Sequence, residues 1–240
     1  MSGPSSPARR PGTYPVVGRR AGLQGMGAVA VAAWTQPVVG RERRKRPLPP
    51  LPMSIAVATD DEGERIASTC FLAEQVHVAR RLLGDHGVRV RWTELRSLPP
   101  GHHRLEDADD RDALAEFLRP RRINVMVVAR LRDKDDPKRL RMGVRWRLRR
   151  DLRHDYVIVA AYAVADVLTH ELGHFFGNGH SHVVDNVMSY RRKHPERVAF
   201  DARQGAKMRG VVRRHLARKT LVPARVGDRS DDARDSCGED

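Results

Sequence analysis

Residues 170–180 read H-E-L-G-H-F-F-G-N-G-H, and the side chains in this run have the types and spacing to bind and use a metal ion. Two histidines four apart on a helix share a face, so His170 and His174 can both reach one metal ion. Glu171 follows the first of them, where a helix can aim its carboxylate at a water on that ion, as a general base. Gly177 marks where the helix must end, because only a residue free to take positive φ lets the chain double back. Asn178 and Gly179 continue the turn, and His180 arrives from outside the helix as a third nitrogen. Three histidines leave a fourth position for water, the pattern of a catalytic and not a structural zinc site. No cysteine stands near the run to argue otherwise.

The run resembles the signature of the metzincin zinc peptidases, HExxHxxGxxH, and Met188 in N-V-M-S-Y is similar to that family's Met-turn. Ser181 after the third histidine, and a methionine eight residues beyond it, are similar to matrixins. The M-S-Y tail is instead similar to serralysins and astacins, whose tyrosine lies near the zinc. The resemblance therefore implies one of two roles for Tyr190, a switchable fifth ligand or a donor to an oxyanion. The alternative is a tyrosine that only packs beside the turn. The cysteine-rich extension of archaemetzincins is absent, so that branch is not expected. The likeness is specific over 166–190 and general, by element order, over about 53–218. It implies a zinc-dependent endopeptidase acting on protein or peptide substrates.

The elements that must position these residues can be read from periodicity. M-S-I-A-V-A-T (53–59) is a strand, and 67–83 has a helical apolar face built on Phe71, Leu72, Val76, Ala79, Leu82 and Leu83. V-R-V-R-W-T-E-L (88–95) alternates, with Val88, Val90 and Trp92 inward. A short helix capped near Asp109 carries Leu114 and Phe117. I-N-V-M-V-V-A-R-L (123–131) is apolar on both faces, as a central strand must be. M-G-V-R-W-R-L (142–148) is an edge strand guarded by arginines, able to hold an extended peptide by strand addition. Residues 156–169 run from a buried strand into the metal helix, and Phe200, Met208, Val211, Val212 and Leu216 form a closing helix capped by Asp201. The expected fold is α/β (α+β): a metzincin-like twisted mixed sheet with an antiparallel edge strand, two long helices, an active-site helix and a Met-turn.

Around this single domain of 53–220, residues 1–52 form either a basic disordered leader or an export signal followed by a linker, and 221–240 a flexible tail. In the segment 18–34, paired arginines before a mildly apolar stretch resemble a twin-arginine signal, although Gln24 interrupts the run and no clean cleavage site follows. Export or a cytoplasmic location both remain open. L-P-P-L-P (48–52) reads as an extended linker. No apolar run reaches the length of a membrane span.

Net charge is +15, of which residues 1–52, with nine Lys/Arg against Glu42, carry +8. Arginine outnumbers lysine 39 to 6, and no basic stretch is interleaved with aromatic residues, so no specific nucleic-acid partner is expected. Two other function classes stay in view: a non-catalytic zinc-binding interaction module, and a basic nucleic-acid binder that would need its charge gathered on one face. A monomer is expected. Cys70, read as buried, and Cys237 make no disulfide framework. His182 could compete for the metal but reads as a surface residue; His102, His103 and His154 read as solvated. Asp166 could orient a ligand or offer charge to a helix N-terminus, and Asp185 and Asn186 shape the turn before Met188.

Overall fold

Seven consecutive residues, Leu51–Val57 (β1), are buried, as a strand covered on both faces requires. The computed structural model describes residues 47–148, 150–151 and 154–225. After β1 come α1 (Thr69–Gly84), β2 (Val90–Ser97), β3 (Arg104–Leu105), α2 (Ala108–Ala113), β4 (Ile123–Val128), β5 (Arg130–Leu131), β6 (Gly143–Arg147), β7 (Asp155–Ala160), α3 (Val167–Phe175) and α4 (Ala202–Ala217). The five-stranded sheet has the order β2-β1-β4-β7-β6. Its strands are parallel except β6, which pairs antiparallel with β7 at the edge. This is the twisted, mostly parallel sheet with an antiparallel edge and two long helices that the sequence leads one to expect.

Alternation along the central strands splits the apolar residues between two cores. Met53, Ile55, Val125, Val127, Val157 and Val159 face one side, where α1, α3 and α4 pack. Ala56, Met126, Val128, Tyr156 and Ile158 face the other, covered by the 98–118 segment and Leu131. Both faces of the sheet are therefore dry, and α3 is laid on one of them.

Two devices fix the elements that border the site. On the helical side, Gln75 of α1 is 3 % exposed. Its amide nitrogen donates to the carbonyls of Ala163 (3.2 Å) and Val164 (2.9 Å), and its oxygen accepts the Leu168 N–H (3.1 Å). One side chain thus satisfies three backbone groups at the entry to α3, including an N–H that a helix start leaves unpaired. On the opposite face, Trp146 of β6 donates to Asp112 (2.8 Å), and the buried Arg111 guanidinium lies 4.8 Å above its ring. These contacts hold the edge strand from beneath.

The structure moves several boundaries and roles. β1 begins at Leu51 and Leu48 is buried, so residues 48–52 belong to the sheet and its core and are not a linker. The cap of α2 is Asp107, with a reciprocal bond from Asp110, two residues before the expected one. Cys70 is exposed, not buried, because it sits on the outer side of the first turn of α1. His103 is 8 % exposed, so it is not solvated; its backbone carbonyl takes the N–H groups of Ala129 and Arg130. Leu221 is buried and the Ala224 N–H reaches the Pro50 carbonyl (2.8 Å), so the first residues of the expected tail pack on the fold. The leader reading over 1–46, Cys237 and the tail from 226 lie outside the described residues.

Replacing Gln75 with leucine keeps the volume but strands the Leu168 N–H and two carbonyls. Each buried unsatisfied group costs about 1–3 kcal/mol, so Gln75→Leu is expected to lower stability by about 3 kcal/mol in total. Urea unfolding measures it, and a change below about 0.5 kcal/mol would show that Gln75 does not pin α3.

Candidate metal centre

α3 is only nine residues long, and its two histidines, His170 and His174, lie one turn apart on one side. Their Nε2 atoms are 3.1 Å apart. The helix then ends at Phe176, and Gly177 takes φ 91°, which a side chain would resist. The reversal is closed by Gly177 N–H to the His174 carbonyl and Asn178 N–H to the Gly173 carbonyl, both 2.9 Å. His180 follows, and its Nε2 comes within 3.1 Å of that of His174. Ser181 N–H to the Met188 carbonyl (2.8 Å) then fastens the returning loop.

The other ring nitrogens of His170 and His174 explain how two of these three atoms are aimed. His170 Nδ1 is 2.7 Å from the Val187 carbonyl, and His174 Nδ1 is 2.9 Å from the Asn178 carbonyl. A carbonyl can only accept, so both Nδ1 atoms carry the proton and both Nε2 atoms present a lone pair. Burial, the largest influence, keeps both rings neutral: it lowers His170 and takes His174 down to about 4. A tetrahedron of nitrogens at zinc's usual bond length has edges of about 3.3 Å, close to the two spacings seen. The donor set fits zinc, and among the described residues His170, His174 and His180 are the group able to hold a metal.

Glu171, the next residue along, lines the same cleft as His170. It is 6 % exposed, and burial, against the opposing Arg145 backbone hydrogen bond and the charges of Arg141 and Arg145, raises its carboxyl to about 7. Space for it depends on Gly143 in β6: a Cβ there would stand 3.0 Å from Glu171 Cγ and 3.2 Å from its Oε1, and would collide with Val167. The cleft between β6, α3 and the 189–192 turn has a volume of about 250 Å³, with Met142, Val164 and Val167 among its apolar walls.

Beneath the histidines, Met188 is fully buried against Gly173, where any Cβ would strike its sulfur. Asn186 Oδ1 accepts the Met188 N–H (2.9 Å), and its amide exchanges two 3.0 Å bonds with Gln204. Gln204 also closes the capping box of α4 with Asp201, so the turn and that helix start share a side chain. Asp185 takes φ 60° and accepts the N–H groups of Lys193 (2.6 Å) and His194 (3.0 Å).

Tyr190 is 68 % exposed, its ring lies 4.8 Å from that of His180, and its hydroxyl is 2.7 Å from His180 Nε2, at the rim of the nitrogen cluster. His182 is exposed and outside the cluster. Asp166 accepts the His170 backbone N–H on its carbonyl (2.9 Å), while its carboxylate binds not a histidine but Arg192, through Nη2 (3.0 Å) and Nε (3.2 Å). Arg192 also donates to the carbonyls of Asn186 (2.9 Å), Val187 (3.2 Å) and Ser189. The guanidinium therefore fixes the very carbonyl that orients His170. Sequence reading missed Arg192, which has no spacing signal, and Gly143, which had one: an isolated glycine in a strand marks a close approach.

The sequence matches no family model and no curated protein. Among solved structures it is similar to archaemetzincin from Methanopyrus kandleri (18 % identity, TM-score 0.48), covering 68 % of this chain and 96 % of that one. It is also similar to metalloproteinase-II from Bacteroides fragilis (13 % identity, TM-score 0.45), covering 68 % of this chain and 53 % of that one. A third similarity is to a chaperone–substrate complex (12 % identity, TM-score 0.46), covering 73 % of this chain and 35 % of that one. These are distant likenesses, and the chemistry of the site rests on its own residues.

Arg192→Met removes the clamp on the Val187 carbonyl without touching a ligand. Loss of such outer support weakens metal binding about 10- to 100-fold. Competition with a chromogenic chelator measures it; unchanged zinc affinity would show that Arg192 does not act on His170.

Proposed function

We propose that this chain is a zinc-dependent endopeptidase of the metzincin type, with His170, His174 and His180 as ligands and Glu171 as general base. The observation that carries the reading is the pairing of three convergent, neutral Nε2 atoms with a buried carboxyl on the adjoining side of the same helix turn. Zinc held there would supply Lewis acidity, making a water more acidic and a peptide carbonyl more electrophilic.

The protein's own groups account for the proton traffic. Glu171, raised toward neutrality by burial, takes a proton from the attacking water and delivers it to the leaving amine. The Tyr190 hydroxyl, at the rim of the cluster, donates to the oxygen on which negative charge develops. β6 ends the sheet, so its outer edge is open to an extended peptide, which would run along the cleft past Gly143 and Glu171. Met188 takes the part of the Met-turn, and Gly173 lets it approach the metal helix. The interval to Met188 follows matrixins and the tyrosine follows serralysins and astacins. Tyr190's exposure at His180 favours an active part over a packing one.

Glu171→Gln keeps the shape and removes the base. It is expected to bind one zinc per chain and to hydrolyse unfolded casein about 100- to 10,000-fold more slowly than the parent. Equal rates would refute the mechanism, and a zinc-loaded parent that cleaves no unfolded substrate would instead be the binding module.

Tyr190→Phe tests the donor. A contact formed in the transition state lowers kcat and leaves KM nearly unchanged, and one lost donor costs about 2–4 kcal/mol. The expected kcat is therefore down about tenfold or more; activity within about twofold would retire the role.

A further inference from the structure

We infer that a second cavity, behind the C-terminal end of α3, binds a phosphorylated or sulfated small molecule. The cavity has a volume of about 380 Å³, within the range of sites for small ligands. Arg145 and Arg147 of β6 border it on one side, and Arg214 of α4 with Arg218 at its C-terminal cap on the other. Against four guanidiniums stands one carboxylate, Asp155, which already accepts from Arg145 (2.8 Å) and Arg147 (3.2 Å). Arg214 and Arg218 have no carboxylate partner among the described residues, and they lie four apart on a helix, where like charges repel.

Arginines in the last turn of a helix are ordinarily explained by its dipole. That account covers α4 alone and leaves the convergence of a second pair from a different element unexplained. It also leaves out the polar and planar groups beside them. His215 stacks on Phe175 with ring centroids 5.6 Å apart and an interplanar angle of 11°, a flat wall between the two arginine pairs. The Thr220 hydroxyl donates to the His215 carbonyl (3.3 Å), so His215 Nδ1 donates to Thr220 (2.8 Å), which braces the ring in place. Planar guanidiniums with paired N–H groups match the oxygens of a phosphate or sulfate. The volume is that of a site for a free small molecule.

The test uses the full chain and two probes, inorganic phosphate and pyrophosphate, titrated calorimetrically with ionic strength held constant by potassium chloride. Saturable binding is expected, tighter for pyrophosphate. Arg214→Glu/Arg218→Glu should weaken it about tenfold or more, the effect of losing one charge-assisted hydrogen bond. A charge-matched control, Arg65→Glu/Arg203→Glu, should leave it unchanged. Should the first pair fail to fold, Arg214→Gln/Arg218→Gln reads out the same loss. Absence of binding beyond that of chloride, or equal weakening in both charge-reversed variants, would overturn the inference, since either reduces the site to diffuse positive charge. Zinc content and hydrolysis by the Arg214/Arg218 variant should match the parent's, separating this site from the metal centre.

Discussion

Two imidazole lone pairs aimed at one point, with a third ring nitrogen beside them, are costly to assemble without a cation between them. In the half-buried cluster of His170, His174 and His180, successive Nε2 atoms stand 3.1 Å apart. Protonation, the ordinary escape, is opposed by burial of the rings. The surrounding structure holds this arrangement by removing its alternatives. The Val187 and Asn178 carbonyls forbid the other tautomer, Gly177 forces the reversal that supplies the second of them, and Asp166 with Arg192 immobilises the first. Gln75 sets where α3 begins, so the helix is fixed at its entry by α1 and at its exit by its own turn.

Much of this was legible from sequence because the information is local. The histidine spacing, Gly177 and the Asp201 cap each depend on residues within a few positions of one another. The strand within 123–131 announced itself by being apolar on both faces. What was hidden is what long-range contact decides. Gln75 meets Leu168 across 93 residues, and nothing near it marks it as more than a polar break in an apolar face. Leu48 and Leu51 looked like linker because prolines surround them, but packing against strands and helices far along the chain claims them for the core. Tyr190 could not be placed because its neighbours in sequence say nothing about which way a turn points its ring.

The arginine excess also has a structural side that composition alone conceals. Arg89, Arg91, Arg96, Arg111, Arg192 and Arg209 all donate to backbone carbonyls. A guanidinium has five donors in a fixed fork, against three on an ammonium, and keeps its charge, so it can cap several loose carbonyls at once. Bonds from charged groups contribute about 1.5–3 kcal/mol each, so part of the charge acts as mortar between segments. Counting basic residues therefore overstates how much of the +15 is available to partners.

All three ligand candidates fall within eleven residues, while the sheet beneath them is assembled by pairings such as Met53 with Ile123, seventy positions apart. An unfolded chain keeps this short ligand segment nearly intact. Any metal that binds the native state would also find a foothold on the denatured one, and affinity shared by both states contributes nothing to the difference between them. Zinc should thus protect this fold against unfolding by less than its native-state affinity alone implies. The excess protection that remains comes from what only the folded chain supplies: two carbonyls, correctly placed, that hold the rings in one tautomer.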